Sequence, residues 1–243
     1  MMRPIWIITK RELNSFFDSL IAYVLLALFL GFSGFFTWLF GNNIFLVGQA
    51  TLSDFFSFSA YWSLLIFIPA LTMRMIAEER KSGTIELLLT KSITDRQVLV
   101  GKFLAALLLI CIALTFTLPY VITVANIGNL DIGQVLCGYL GLILMSAAYI
   151  SIGLYMSSIT SNQIVAFLAT IFICLFFHII FELLGRSMTG FFGETLSSLS
   201  LFNHYESIQR GVIDTKDIVY FLSIIFFGLF LAETSLSKRK VSG

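Results

Sequence analysis

The chain has 243 residues, of which 58% are hydrophobic and 12% charged, with 26 phenylalanines, three prolines and a net charge of +1. A soluble domain carries about a quarter charged residues, so this composition, with a mean hydropathy of +0.95, excludes an ordinary water-soluble globule and points to a bilayer as the solvent. The near-zero net charge names no partner; the distribution of charge is more informative.

The first 19 residues contain "PIWIITKRELNSFFDS". At about 100° per residue, Ile5, Trp6, Leu13, Phe16, Phe17 and Leu20 share one arc, with Lys10, Arg11, Asn14 and Asp18 opposite; Ile7 and Ile8 break the pattern. The phased aromatics predict an amphipathic helix lying in the headgroup plane. Six apolar runs follow, at residues 20–40, 55–75, 103–125, 133–158, 164–184 and 218–236. Each has about the 20 residues that a helix needs to cross a hydrocarbon core roughly 30 Å thick. Barrel strands would alternate and be about ten residues long. The first run begins after residue 19 and lacks a small-residue cleavage site, so it reads as a span and not a removable signal. Pro69 and Pro119 are expected to kink the second and third spans. Ala147 and Ser151 offer a small contact face on the fourth.

Twelve of the fifteen basic residues fall on one side of such a topology. They are Arg3, Lys10 and Arg11 before span 1, Arg74, Arg80, Lys81, Lys91, Arg96 and Lys102 between spans 2 and 3, and Lys238, Arg239 and Lys240 after span 6. The other side holds Arg186, Arg210 and Lys216. The positive-inside rule then puts both termini and the 2–3 connection in the cytoplasm, in a bacterial inner membrane. The loop before span 6 runs about thirty residues, too long to be structureless. Its Phe191, Phe192, Leu201, Phe202 and Tyr205 predict short helices folded against the outer membrane surface.

The most charged stretch is "AEERKSGTIELLLTKSITDRQVLVGKF", 77–103. "MIAEERK" reads as an extension of span 2 into water, with Glu78, Glu79, Arg80 and Lys81 solvated. Gly83 permits a turn, Thr84 is an N-cap, and Glu86 suits the positive end of a new helix. Ile85, Leu88 and Leu89 form a ridge at i, i+3 and i+4. A short helix held between two spans, apolar on one side, is suited to docking in a groove of a cytoplasmic partner; an ordinary elbow lying on headgroups is the plainer alternative.

These residues resemble the segment between the second and third spans of type-two ABC exporter permeases, E-E-x-x-x-G-T-x-E-L-L-L-T-x-P followed by G-K-(F/Y). Glu78, Glu79, Gly83, Thr84, Glu86, Leu87, Leu88, Leu89, Thr90, Gly101, Lys102 and Phe103 match, while Ser92 replaces the usual proline. "SSITSNQIVAFL" and "SLFNHYESIQRGVIDTKDIVYFLS" resemble the family's 4–5 turn and its outer approach to span 6. The opening "KRELNSFFDSLIAYVLLALFL" resembles the gliding-motility branch and, less closely, the copper-handling branch that serves nitrous-oxide reductase maturation. The resemblance implies a single all-α membrane domain over residues 1–243, with six transmembrane helices, an N-terminal interfacial helix, a coupling helix and small outer helices. It implies that Glu79, Lys81, Gly83, Thr84, Ile85, Glu86, Leu87, Leu88, Leu89 and Thr90 engage a cytoplasmic ATP-binding subunit, which holds ATP and magnesium. A second six-span subunit would complete the pathway, in the gliding branch possessing a large periplasmic part.

The chain's own chemistry is sparse. A phosphate loop, G-x-x-x-x-G-K-[ST], would need glycine at 96 and a hydroxyl at 103, where Arg96 and Phe103 stand. Neither H-E-x-x-H nor G-x-S-x-G occurs, and Cys111, Cys137 and Cys174 all sit in apolar runs. The expectation is a non-catalytic subunit that binds no cofactor or metal. His178 and Glu182, four apart near the outer end of span 5, are candidates for a substrate path. An ion-coupled carrier would need acids near the midplane, and spans 1 and 4 have none.

Overall fold

The computed structural model describes residues 2–40, 50–83, 94–188 and 190–242. All regular structure among them is helical. Helix α1 (Met2–Asp18) is followed after Ser19 by α2 (Leu20–Trp38), which is span 1. Span 2 (Phe55–Lys81) is composite: π-helical Phe55–Ala60, α3 (Tyr61–Thr72), a turn at Met73–Ile76, and α4 (Ala77–Lys81). Span 3 (Asp95–Ile127) comprises α5 (Asp95–Thr115) and α6 (Leu118–Ile127); span 4 is α7 (Ile132–Ile159). Span 5 (Gln163–Ser187) comprises α8 (Gln163–Leu175), π-helical Phe176–Ile180 and α9 (Phe181–Ser187). Two short helices, α10 (Phe191–Ser197) and α11 (Leu201–Gln209), lead into α12 (Thr215–Ser242), which contains span 6.

The six runs read from hydropathy coincide with the six helices long and apolar enough to cross a membrane. Span 3 begins eight residues earlier than the apolar run, because Thr94 and Gln97 form a reciprocal capping box at 3.3 and 3.2 Å that satisfies the first donors of α5. The side chains of Asp131 and Asn162 cap α7 and α8 by accepting from the Gln134 and Ile164 amides. Span 3 is interrupted at Phe116–Thr117, just before Pro119 in the first turn of α6. Pro69, by contrast, lies inside α3, and the interruption of span 2 falls after it, at Met73–Ile76. The reason is tertiary and is given below.

Span 4 is the axle. Spans 2, 3, 5 and 6 and helix α11 all pack on it. Small residues let them approach: a Cβ on Gly228 of span 6 would meet the Ser151 hydroxyl at 2.6 Å, and Ser151 donates to the Ile224 carbonyl at 3.4 Å. The contact face expected around Ser151 is therefore used by span 6. Spans 2, 3 and 4 are mostly buried, whereas spans 1, 5 and 6 present much of their apolar surface outward.

The loop before span 6 does form two helices, but only part of it lies on the surface. Phe191 and Phe192 are exposed; Leu201, Tyr205 and Ile208 are enclosed, because α11 inserts between span 4 and the start of span 2. The expectation that Tyr205 lies against the membrane surface is corrected accordingly. Its hydroxyl needs a partner once buried, and the Phe56 carbonyl provides one.

Candidate functional site

The motif-bearing segment emerges at the end of the bundle that also carries both termini. Of the ten residues singled out for docking, Glu79, Lys81 and Gly83 are described; residues 84–90, with the Ile85, Leu88 and Leu89 ridge, lie outside the described residues. What is on view is the frame from which that segment is presented.

Its centre is Lys102. This side chain is 1% exposed, although it is a lysine. Its ammonium donates to Glu79 Oε1 at 2.8 Å and to Glu12 Oε2 at 3.1 Å, and the Arg11 guanidinium pairs with Glu12 and lies 3.7 Å from Glu79. A buried ammonium is tolerated only when paired and hydrogen-bonded. Three parts of the chain are thereby joined: α1 through Glu12, the foot of span 2 through Glu79, and α5 through Lys102. Burial raises the Glu12 carboxyl, but the charges of Lys102 and Arg11 and their hydrogen bonds outweigh it and hold Glu12 below the usual carboxylate range.

Gly101, the neighbour of Lys102, allows α1 to come this close. A Cβ at that position would meet Ile8 Cγ2 at 2.7 Å and the Ile5 carbonyl at 3.2 Å. Thr9, fully buried, donates to the Gly101 carbonyl at 3.2 Å. The face of α1 that packs on α5 therefore runs through Ile5, Ile8, Thr9 and Glu12, while Trp6 and Ile7 are exposed. Ile8, which breaks the apolar arc read from hydropathy, belongs to this buried face, where the polar pair Thr9 and Glu12 has partners on α5.

Span 4 supplies the second anchor. At the Met73–Ile76 turn the backbone leaves α-helical geometry, and the Ser157 hydroxyl accepts from the amides of Ile76 and Ala77 at 3.1 and 2.9 Å. It also lies 3.2 Å from the Met73 carbonyl, to which it donates. That one buried hydroxyl satisfies donors an interrupted helix would otherwise leave orphaned, which is why the break occurs there and not at Pro69. Arg80 donates to the Ser158 carbonyl at 2.7 Å. The foot of span 2 is thus no solvated extension: Glu79 and Arg80 are half-buried against other elements, and only Glu78, Lys81, Ser82 and Gly83 face out. Gly83 has φ 71°, the left-handed conformation expected of a turn glycine.

A cavity of about 390 Å³ opens beside this cluster between α1 and the foot of span 2, lined in part by Arg11, Ser15, Phe16, Arg74 and Glu78. Arg74 and Glu78 pair across one turn at 3.0 Å.

The two candidates on span 5 have separate partners. His178 is buried on the π-helical stretch and hydrogen-bonds the Tyr61 hydroxyl. Glu182, on α9, pairs with Arg186 at 2.7 Å. The π-helical insertion changes the spacing that four-apart geometry assumes, and each group has its own partner. Among the described residues no cluster of three or more His, Cys, Asp or Glu side chains is placed to hold a metal ion. Sequence reasoning missed Glu12, Arg11, Ser157 and Ser158 as members of the frame. The one available signal was charge at positions of α1 that a purely lipid-facing helix would not need.

The arrangement ties α1, the foot of span 2, α5 and the end of span 4 together through buried side-chain contacts. A family model described as "ABC-2 family transporter protein" matches residues 6–234. No curated protein sequence matches the chain.

Proposed function

Because the chain belongs to the ABC-2 transporter family and is a membrane permease subunit of an ABC transporter, we propose that its elbow is where an ATP-binding partner delivers force. The observation that carries this reading is the Lys102 joint. A segment that only turned the chain round would not need a buried ammonium shared by two carboxylates from distant elements, nor a serine of a fourth element capping its break. A segment that is pushed does need such a frame, since a soft mounting would absorb the displacement.

In this reading residues 84–90 form the coupling helix, with Leu88 and Leu89 seated in a cleft of the ATP-binding subunit. That subunit holds ATP and magnesium, and both termini lie in the cytoplasm. A second six-span subunit, a copy or a relative, covers part of the apolar surface of spans 1, 5 and 6. The likeness of residues 10–30 to the gliding-motility branch supports that branch, in which ATP hydrolysis by the partner subunit is coupled to transport or to force across the inner membrane. His178 and Glu182 remain candidates for contact with whatever is moved.

The test is Leu88→Asp or Leu89→Asp, each placing a charge in the proposed cleft. Membrane insertion is expected to be intact and co-purification with the ATP-binding subunit abolished. Undiminished complex with normal coupled ATPase activity would overturn the docking role. Labelling of Thr84→Cys from the periplasm would overturn the orientation. A neighbouring reading frame for a P-loop ATPase and a motility protein is expected if the branch is right.

A further inference from the structure

Two of the six spans contain π-helical stretches, and these face one another. Span 2 opens with π-helical Phe55–Ala60, and span 5 contains π-helical Phe176–Ile180. Such stretches are rare, appear as insertions within α-helices, and occur frequently at functional sites. Tyr61, the first residue after one stretch, hydrogen-bonds His178 within the other, with ring centroids 4.6 Å apart. Trp62 and Phe202 pack edge-on against the same imidazole at 5.6 and 5.0 Å. The Tyr61 hydroxyl also lies 3.2 Å from that of Tyr149 on span 4.

Helix α11 is tied into this junction. The Tyr205 hydroxyl, fully enclosed, donates to the Phe56 carbonyl at 2.7 Å, within the π-helical stretch itself. Gln209 donates to the Ser53 carbonyl at 3.2 Å, just before it. A carbonyl turned out of its helix to accept a side-chain donor is a recognised cause of helix distortion. From the junction, α3 runs twelve residues to the Met73–Ile76 turn, about 18 Å at 1.5 Å per residue. Nine of those twelve are buried. Span 2 is therefore a packed rod, with Ser157 and Lys102 gripping its foot and Tyr205 its head.

We propose that Tyr205 is a positioning residue for coupling: its hydrogen bond to the Phe56 carbonyl holds the head of span 2 in π register, so that displacement of the elbow reaches α11 on the opposite face. The inference rests on the reading of the elbow as a docking site. The π and α registers are discrete alternatives. Removing the extra residue turns one side of the helix against the other by about 100° and parts Tyr61 from His178. Packed helices switch between such arrangements and do not deform smoothly, and a two-state element biased from both ends is what transmission between distant sites requires.

The experiment uses the membrane complex with its ATP-binding subunit. Arg210→Cys, at the exposed end of α11, reports by maleimide labelling whether that helix responds to ATP. In the otherwise native chain, labelling is expected to change on adding ATP. Tyr205→Phe, which keeps the ring and removes only the hydroxyl, is expected to abolish that change and to lower the ATPase rate at least about fivefold, the low end of ordinary coupling, with assembly unaltered. Deleting Ser57 restores α register, and in that background Tyr205→Phe is expected to have no further effect, whereas independent contributions would add. An ATP-dependent label that persists in Tyr205→Phe overturns the proposal, as does additivity with the deletion; if the deletion variant fails to insert, the labelling result decides alone. A complex that assembles and requires Leu88, yet ignores Tyr205→Phe, refutes this inference only. A complex indifferent to Leu88→Asp refutes the docking reading instead.

Discussion

Replacing Lys102 with methionine keeps the length and apolar stem of the side chain and removes its charge. Two charge-assisted hydrogen bonds, at 2.8 and 3.1 Å, are lost, and each such bond contributes about 1.5–3 kcal/mol. Glu12 and Glu79 then stay half-buried beside the Arg11 guanidinium. Breaking a buried ion pair by deleting one partner costs roughly 3–5 kcal/mol, and the remaining guanidinium and partial exposure place this case at about 3 kcal/mol. At 1.4 kcal/mol per factor of ten, α1 should detach from α5 about a hundredfold more often. Hydrogen exchange of the α1 amides from Ile5 to Glu12, measured in detergent or nanodiscs, reads that opening directly. The double variant with Glu79→Gln should open less than the sum of the single variants, since it also removes a carboxylate that has lost its ammonium. Unchanged exchange in Lys102→Met would refute the claim that this lysine is the joint between α1, span 2 and span 3.

Acidification probes the same joint through Glu12. Its carboxyl titrates below the usual range in the folded protein, so the stabilisation is fully present above the ordinary carboxylate value and is lost as pH falls through the depressed one. An acid-induced step in α1 exchange is expected for the native chain and should be smaller in Lys102→Met, where only Arg11 still holds the Glu12 carboxyl down. Ser157→Ala removes the acceptor shared by the Ile76 and Ala77 amides. A buried unsatisfied donor costs about 1–3 kcal/mol, and the exchange of those two amides should rise while α1 is unaffected. Gly101→Val drives a side chain into Ile8 and the Ile5 carbonyl, so α1 should lose protection. Adding Ile8→Ala should recover part of it, and no recovery would show that contact with Ile8 is not the cause.

The spans were legible because a bilayer imposes a length and an apolar composition on any helix that crosses it, and both are written in consecutive residues. The turn at Gly83 and the helices before span 6 were legible for a similar reason: glycine and loop length are local properties. Other features depended on what lies opposite. Nothing around Ile8 says that it faces Gly101, so hydropathy read it only as a break in the apolar arc of α1. Glu79 and Arg80 read as solvated because charge is normally solvated, and only the arrival of Lys102 and the Ser158 carbonyl makes them interior. Pro69 carried the expectation of a kink because it cannot donate, but nothing around it points to the interruption at Met73–Ile76, where the Ser157 hydroxyl gives orphaned amides an acceptor. Local chemistry determined which segments are helices and where they could cross; which carboxylates share an ammonium, and where a helix breaks, was decided by partners some 80 or 90 residues away in the chain, because a buried polar group goes where its counterpart is.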